Sequence, residues 1–191
     1  MADANWQTAW DGVIAQIGQD WGKDTRAAGA DRVEPGAIRR ILEVLEFDCP
    51  LHTDADVARA HGYEDITAPY TSTMTFALPA MWSPGEVIFD SDSRDVQPSK
   101  SAVKPTFPSV VPHFTGYFAT DMEVDFIRPA VVGERLRRRG EKLLNCQPKE
   151  TKVGRGAFLT FESEVVNESG DLIARNRWTI YLYNPTPGAA S

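Results

Sequence analysis

Cysteine is almost missing here: Cys49 and Cys146 are the only two in 191 residues. Two thiols cannot build a disulfide framework, and they lack the paired spacing of a zinc site, so a reducing, cytoplasmic setting is expected. Long apolar runs are missing too. No stretch approaches the ~20 apolar residues of a membrane span, and the opening MADANWQTAWDGVIAQIG has no basic segment followed by a continuous apolar one. Positive charge is in deficit: 20 Lys and Arg against 27 Asp and Glu give a net charge of −7. That balance excludes a surface that tracks nucleic-acid phosphates, which needs clustered cations. The one basic run, Arg135, Arg137, Arg138 and Arg139, reads as a solvated strand face. What remains is an ordinary globular composition, 42% hydrophobic and 25% charged, in a chain that fits one domain of roughly 100 to 200 residues with extensions.

Apolar spacing divides that chain. Trp6, Trp10, Val13, Ile14, Ile17 and Trp21 recur at intervals of three and four, which predicts a helix over 5–21, stopped by Gly22, with its stripe docked on the domain's own core or, less favoured, on a partner. A polar connector, KDTRAAGAD, follows. Glu34-Pro35 opens a second helix with Ile38, Ile41, Leu42 and Leu45 as its buried stripe, ending at Phe47-Asp48-Cys49-Pro50, where Cys49 must be extended because it precedes a proline. Thr53 or Asp54 caps a short helix in DADVARAHG, closed by Gly62. Residues 70–81, with TSTMTFALPAMW apolar all round, predict a helix enclosed by a sheet, kinked or ended by Pro79. Residues 83–114 have no period and read as a long loop or lid. From Tyr117 onward, alternation and turn residues give four antiparallel strands, one turn being Asn167–Asp171. A curved sheet around one apolar helix is an α+β hot dog, here with an extra N-terminal helix. The expected division is 1–32 helical extension, 33–184 hot-dog domain and 185–191 tail.

Three segments carry a resemblance. HTDADVARAHGYEDITAP, VDFIRPAVVGERL and NESGDLIARNRWTIYLYN resemble, in that order, the helix after the catalytic His, the strand–proline turn–strand and the final hairpin of MaoC-like (R)-specific enoyl-CoA hydratases and dehydratases. The likeness covers Val33 to Asn184 and is greatest to the N-terminal-type MaoC dehydratase domain and to HadA-like subunits. It implies that water is added to, or removed from, a 2-enoyl thioester. An Asp and a His hold that water, and a helix N-terminus polarises the thioester carbonyl. The family's Asp-x-Asn-Pro-Leu-His reads Phe47-Asp48-Cys49-Pro50-Leu51-His52 here. His52 therefore takes the catalytic His position, and Asp48 serves as the Asp if the backbone absorbs one missing residue. The family's His-Gly at the helix start is Ala68-Pro69, and proline has no N–H to give. The donors shift to Tyr70, Thr71 and Ser72, which become the substrate-binding residues. The resemblance further implies no metal, no cofactor beyond the coenzyme A or acyl-carrier pantetheine that the substrate carries, and assembly as a homodimer or with a second hot-dog subunit, with neither nucleic acid nor membrane as a partner.

Plainer roles stand beside these. His52 also suits a surface position before the short helix, and Asp48 a polar helix end. His61 suits the negative end of the helix dipole, and His113 reaches a site only if the loop folds over. Tyr70, Thr71 and Ser72 can equally be helix-capping residues. Asp121, Glu123 and Asp125 alternate as a solvated face does, Gly154-Arg155-Gly156 is a hairpin connection, and Arg128, Lys152, Arg155 and Arg177 are candidates for the phosphates of coenzyme A. Two other functions remain open: a hot-dog thioesterase, disfavoured because TSTMTFALPAMW has no acid, and a module that holds an acyl chain without chemistry.

Overall fold

The computed structural model of the chain describes residues 6–22, 28–100 and 107–185. The connector's centre (23–27), the middle of the long loop (101–106), residues 1–5 and the tail from 186 lie outside the described residues. Four strands, β1 (Gly116–Phe126), β2 (Arg137–Thr151), β3 (Gly154–Val166) and β4 (Leu172–Asn184), form one antiparallel sheet in the order β1-β4-β3-β2. Strand number, pairing sense and turns match the alternation in the sequence. Because side chains alternate across a strand, Ala157, Leu159, Phe161, Ser163 and Val165 of β3 face one side, level with Leu182, Ile180, Trp178, Asn176 and Ala174 of β4. This face is covered. One apolar cluster holds Ala174 and Val165 against Ile38, Leu42, Ala68 and Phe76, and a second holds Phe161, Leu159 and Ile180 against Trp10 and Val13. The other face carries charge ladders: Arg177 lies against Glu162, Asp125 and Glu123, and Arg139 against Glu164.

The helices are shorter than their periodicity predicts. Instead of one helix over 5–21, a 3₁₀ turn (Trp6–Trp10) leads into α1 (Asp11–Ile14). Trp10 and Val13 are buried, so the stripe does dock on the chain's own core, but Ile14 and Ile17 are exposed. The helix stops because strand-like pairing with β2 competes and wins. Gly18 takes a left-handed φ of 91°, its N–H donates to the Leu143 carbonyl, and Leu143 and Trp21 donate to Gln19 and Glu141. At this edge β2 bulges around Gly140 (φ 68°), and Asp20 Oδ1 accepts from Glu141 N at 2.7 Å. The segment 18–21 thereby covers the outer edge of β2.

α2 (Pro35–Leu45) starts as expected, with Pro35 in the first turn, and ends at Glu46 in the left-handed region. Ile38 and Leu42 are buried, whereas Leu45, placed on the stripe by spacing, is exposed. α3 (Ala55–Ala60) is capped by Asp54, whose Oδ1 accepts from Asp56 N and Val57 N. The helix predicted over 70–81 is reduced to a 3₁₀ turn (Tyr70–Ser72) and α4 (Thr73–Phe76). Two causes combine. Pro79 cannot donate to the helix and pushes Leu78 out of helical space, and the strand-like 29–30 segment crosses the end, with Ala30 N donating to the Leu78 carbonyl. Gly29 passes so close that a Cβ there would sit 1.9 Å from the Phe76 carbonyl oxygen. Residues 77–115 contain no helix or strand among those described. The returning part of this loop places Phe107, Val110, Val111 and Phe114 on the second cluster, as a plug for the core.

The basic run is not the solvated face expected. Arg135 donates to the carbonyls of Gly29 and Ala30, Arg138 Nη2 lies 3.5 Å from Ser163 Oγ on the covered face, and Arg139 pairs with Glu164. The turn before β2 is locked by Glu134, whose carboxylate takes both Arg128 nitrogens, Val131 N and Asn167 Nδ2. Burial by itself would raise the pKa of Glu134, yet the bonds from Arg128, Val131 and Asn167 outweigh it and hold the group below the ordinary carboxylate value. A depressed folded pKa gives stability that is present above the unfolded value and lost as pH falls through the folded one. Glu134→Gln should therefore be about 1–3 kcal/mol less stable in urea melts at neutral pH. The gap to the parent protein should narrow below about pH 4.

Candidate active site

His52 ends a single 3₁₀ turn, Pro50–His52, entered through Cys49, which is extended (φ −133°, ψ 115°) as the following proline requires. A second extended passage, Ile66 to Pro69, runs beside it. Thr67 N donates to the Leu51 carbonyl, Ala68 N to the Ala130 carbonyl and Val132 N to the Ile66 carbonyl, so this passage joins the His turn to the Pro129–Val132 turn. Thr67 is buried. Its carbonyl oxygen lies 2.7 Å from His52 Nδ1, and its hydroxyl, which donates to Leu51 O, lies 3.0 Å from the same nitrogen. A carbonyl only accepts, so Nδ1 carries the proton and Nε2 of the neutral ring keeps its lone pair. The imidazole is half-buried, and the Phe47 ring sits 5.7 Å away. His52 is thus oriented as an imidazole base would be.

The other site residues fall into two groups. Asp48 is exposed and makes no hydrogen bond or ion pair among the described residues, so the structure does not bond it to His52. Tyr70, Thr71 and Ser72 lie three to five residues beyond Thr67 in one 3₁₀ turn. Ser72 is buried, and its hydroxyl donates to the Pro69 carbonyl at 2.6 Å. Thr71 is exposed. The amides of Tyr70 and Thr71 head the turn, where no carbonyl of the turn stands behind them. Burial, and secondarily the neighbouring Tyr63, raises the Tyr70 phenol above its ordinary pKa. Its ring packs on Phe126 at 5.0 Å between centroids.

Several alternatives drop away from this centre. His61 Nδ1 donates to the Val57 carbonyl at the end of α3, and His113 is exposed, with its carbonyl accepting from Asn184 Nδ2. Arg128, Arg155 and Arg177 are each in ion pairs with carboxylates, whereas Lys152, the fourth cation proposed for phosphate contact, makes none among the described residues. Glu123 and Asp125 pair with Arg177. No group of three or more His, Cys, Asp or Glu among the described residues could hold a metal ion. Thr67 is the residue that sequence reasoning missed. Nothing in its neighbourhood singles it out; only the pairing of Thr67 with Leu51 brings it to His52.

Comparison with known proteins agrees with this fold. The model of the FAS1-like, dehydratase domain region matches residues 16–176. A probable enoyl-CoA hydratase alpha subunit of Thermomonospora curvata is 24% identical over 173 residues, which is 90% of this chain and 50% of that protein. The chain therefore spans half the length of that curated relative. Among solved structures, the ChsH1-ChsH2 complex from Mycobacterium tuberculosis superposes at a TM-score of 0.63 with 21% identity over 95% of this chain and 98% of that one. A MaoC-like dehydratase from Rhodospirillum rubrum gives 0.52 with 18% identity over 86% and 94%. The architecture is the α+β hot dog, with its central helix cut to one turn.

Proposed function

Because this chain belongs to the FAS1-like dehydratase-domain family, we propose that it hydrates a 2-enoyl-CoA, or dehydrates the corresponding 3-hydroxyacyl thioester, as a hot-dog subunit. The observation that carries this reading is the bond from His52 Nδ1 to the Thr67 carbonyl, which leaves Nε2 as a fixed base. His52 Nε2 takes a proton from water, the hydroxyl oxygen bonds to C3, and the electrons of the double bond pass to the thioester oxygen. A proton then returns to C2, so water is added and nothing is oxidised. Asp48 is the second group, joined to His52 through the reacting water. The amides of Tyr70 and Thr71 receive the thioester oxygen, since Pro69 has none to offer, and the Ser72 hydroxyl fixes their turn by holding the Pro69 carbonyl. No metal or resident cofactor enters the scheme; coenzyme A or acyl-carrier pantetheine arrives with the substrate. Such thioesters and the two free thiols, Cys49 and Cys146, suit the cytoplasm, and no described helix is long and apolar enough to cross a membrane.

The partner in this reading is a second hot-dog subunit, identical or different, seated on β1. The segment 18–21 covers the β2 edge, while β1 is the opposite edge and exposes Tyr117, Phe118, Met122 and Phe126. An eleven-residue edge strand with apolar side chains outward is a pairing surface unless it is covered. The exposed Asp48 and the amide-less Pro69 favour one second reading, an acyl-thioester-binding subunit whose partner supplies the chemistry.

The test is to give the full chain crotonyl-CoA, alone and with candidate hot-dog partners, while following enoyl absorbance and free thiol together. The expected result is loss of the enoyl chromophore with no thiol released. Thiol release without loss of the double bond would make the protein a thioesterase. Neither change under any pairing would end the hydratase reading.

A further inference from the structure

The covered face of the sheet is not apolar throughout. Between the two clusters a polar row crosses it: Ser163 of β3 stands opposite Asn176 of β4, and Val124 of β1 lies on the other side of Asn176. Asn176 is only 1% exposed, yet neither its Nδ2 nor its Oδ1 has a hydrogen-bond partner among the described residues. Two residues further along the same face, the buried Nε1 of Trp178 is also without a partner among the described residues, although its ring stacks on Phe161 at 4.8 Å. Each such unmet group carries its full desolvation penalty, and a leucine of similar size would avoid that penalty at position 176. Buried polar groups are almost always satisfied in the working state of a protein.

We propose that Asn176 and Trp178 form a subsite that binds a hydroxyl or keto oxygen carried on the acyl chain of the thioester. The inference rests on the thioester reading above and adds the class of acyl group to it. The unmet set is two kinds of donor and one acceptor. A hydroxyl oxygen accepts from Asn176 Nδ2 and Trp178 Nε1 while its proton goes to Asn176 Oδ1; a keto oxygen uses the two donors. A plain alkyl chain satisfies none of them. Position favours a ligand group. Phe126, which packs on Tyr70, pairs with Ala174, and Asn176 lies two residues along β4 from Ala174 on the same face. At about 3.3 Å per residue that is on the order of 7 Å further into the sheet. A chain whose thioester sits at Tyr70 therefore meets this row several carbons in, with apolar clusters on either side of it.

The experiment measures binding and turnover separately. Calorimetry on the full chain compares decanoyl-CoA with positional isomers of hydroxydecanoyl-CoA, and the matching 2-enoyl thioesters are assayed for hydration. Binding at least tenfold tighter for one hydroxylated isomer is expected, with the preference abolished in Asn176→Leu and reduced in Trp178→Phe, which keeps the stack on Phe161. The Leu variant should still bind decanoyl-CoA and should melt no lower than the parent. Preference without turnover, alone or with any hot-dog partner, would uphold the subsite and sink the hydratase reading; turnover without preference would do the reverse. Equal binding of all probes, or no binding of any, overturns the subsite and leaves a trapped water as the partner of Asn176.

Discussion

His52→Ala is expected to lower the rate of enoyl-thioester hydration by about 10²–10⁴-fold, the range lost with a positioned general base, while the melting temperature stays near the parent's. The imidazole bonds through Nδ1 alone, chiefly to the Thr67 carbonyl with the Thr67 hydroxyl at 3.0 Å, and makes one ring contact, to Phe47. A single hydrogen bond of this kind is worth about 1 kcal/mol. The two bonds that hold the strands together here, from Thr67 N and Oγ1 to the Leu51 carbonyl, do not involve the imidazole. Activity and stability should thus separate, which a purely structural histidine would not allow. Asp48→Asn should also slow turnover at unchanged stability, because that carboxylate is exposed and has no partner among the described residues. Full activity of the His52 variant in the presence of a partner subunit would move the chemistry to that partner and leave this chain the acyl-binding role.

The strands were legible because their signal is local. Alternation in β3 and β4, the Asn167–Asp171 turn and the proline that opens α2 each need only a few neighbouring residues, and each appears where its pattern stands. Helix length was not legible, because distant chain decides it. The apolar run over 70–81 keeps helical spacing past Phe76, but the passage of Gly29 and Ala30 takes the Leu78 carbonyl. The Trp stripe continues to Trp21, but Leu143 captures Gly18 and Gln19. Counting apolar positions also hides the polar row: Ser163 and Asn176 interrupt the alternation at covered positions, as turn-facing polar residues would, and only the register places them between two apolar clusters.

The site was half legible. Pro50-Leu51-His52 fixes an extended entry and a tight turn from its own residues, and His52 stands out by its chemistry. What orients His52 is invisible in sequence, since Thr67 reaches it only through the pairing of one extended passage with another. The same holds for Glu134. It reads as one acid in a turn, but the fold gathers Arg128, Val131 and Asn167 around it. Thr67 lies on the passage bridged to the Pro129–Val132 turn, and Glu134, just past that turn, holds it through Val131 N, so the motif around Pro129 braces the passage that carries Thr67.

Phe161→Ala is expected to cost about 3–5 kcal/mol, the range for removing a buried phenylalanine, which lowers the melting temperature by roughly 2–4 °C per kcal/mol in a chain of this size. The ring is 1% exposed and joins three parts of the chain that are far apart in sequence. It stacks on Trp178 of β4 at 4.8 Å, meets Trp21 of the edge segment at 5.3 Å and meets Phe107 of the returning loop at 6.4 Å. Collapse into the cavity would have to drag a sheet strand, so relaxation is limited and the upper part of the range is favoured. The loss should also be transmitted: amide exchange at Gly18, Trp21 and Leu143, whose bonds tie the edge segment to β2, should quicken more than at β3–β4 pairs. Phe158→Ala is the control. Its ring lies on the opposite face, half-buried and stacked on Tyr181 at 4.4 Å, so its removal leaves a partly solvated gap and should cost less. A larger loss at Phe158 than at Phe161, or unchanged exchange at the β2 edge, would mean that the Trp-rich segment is not anchored through this ring.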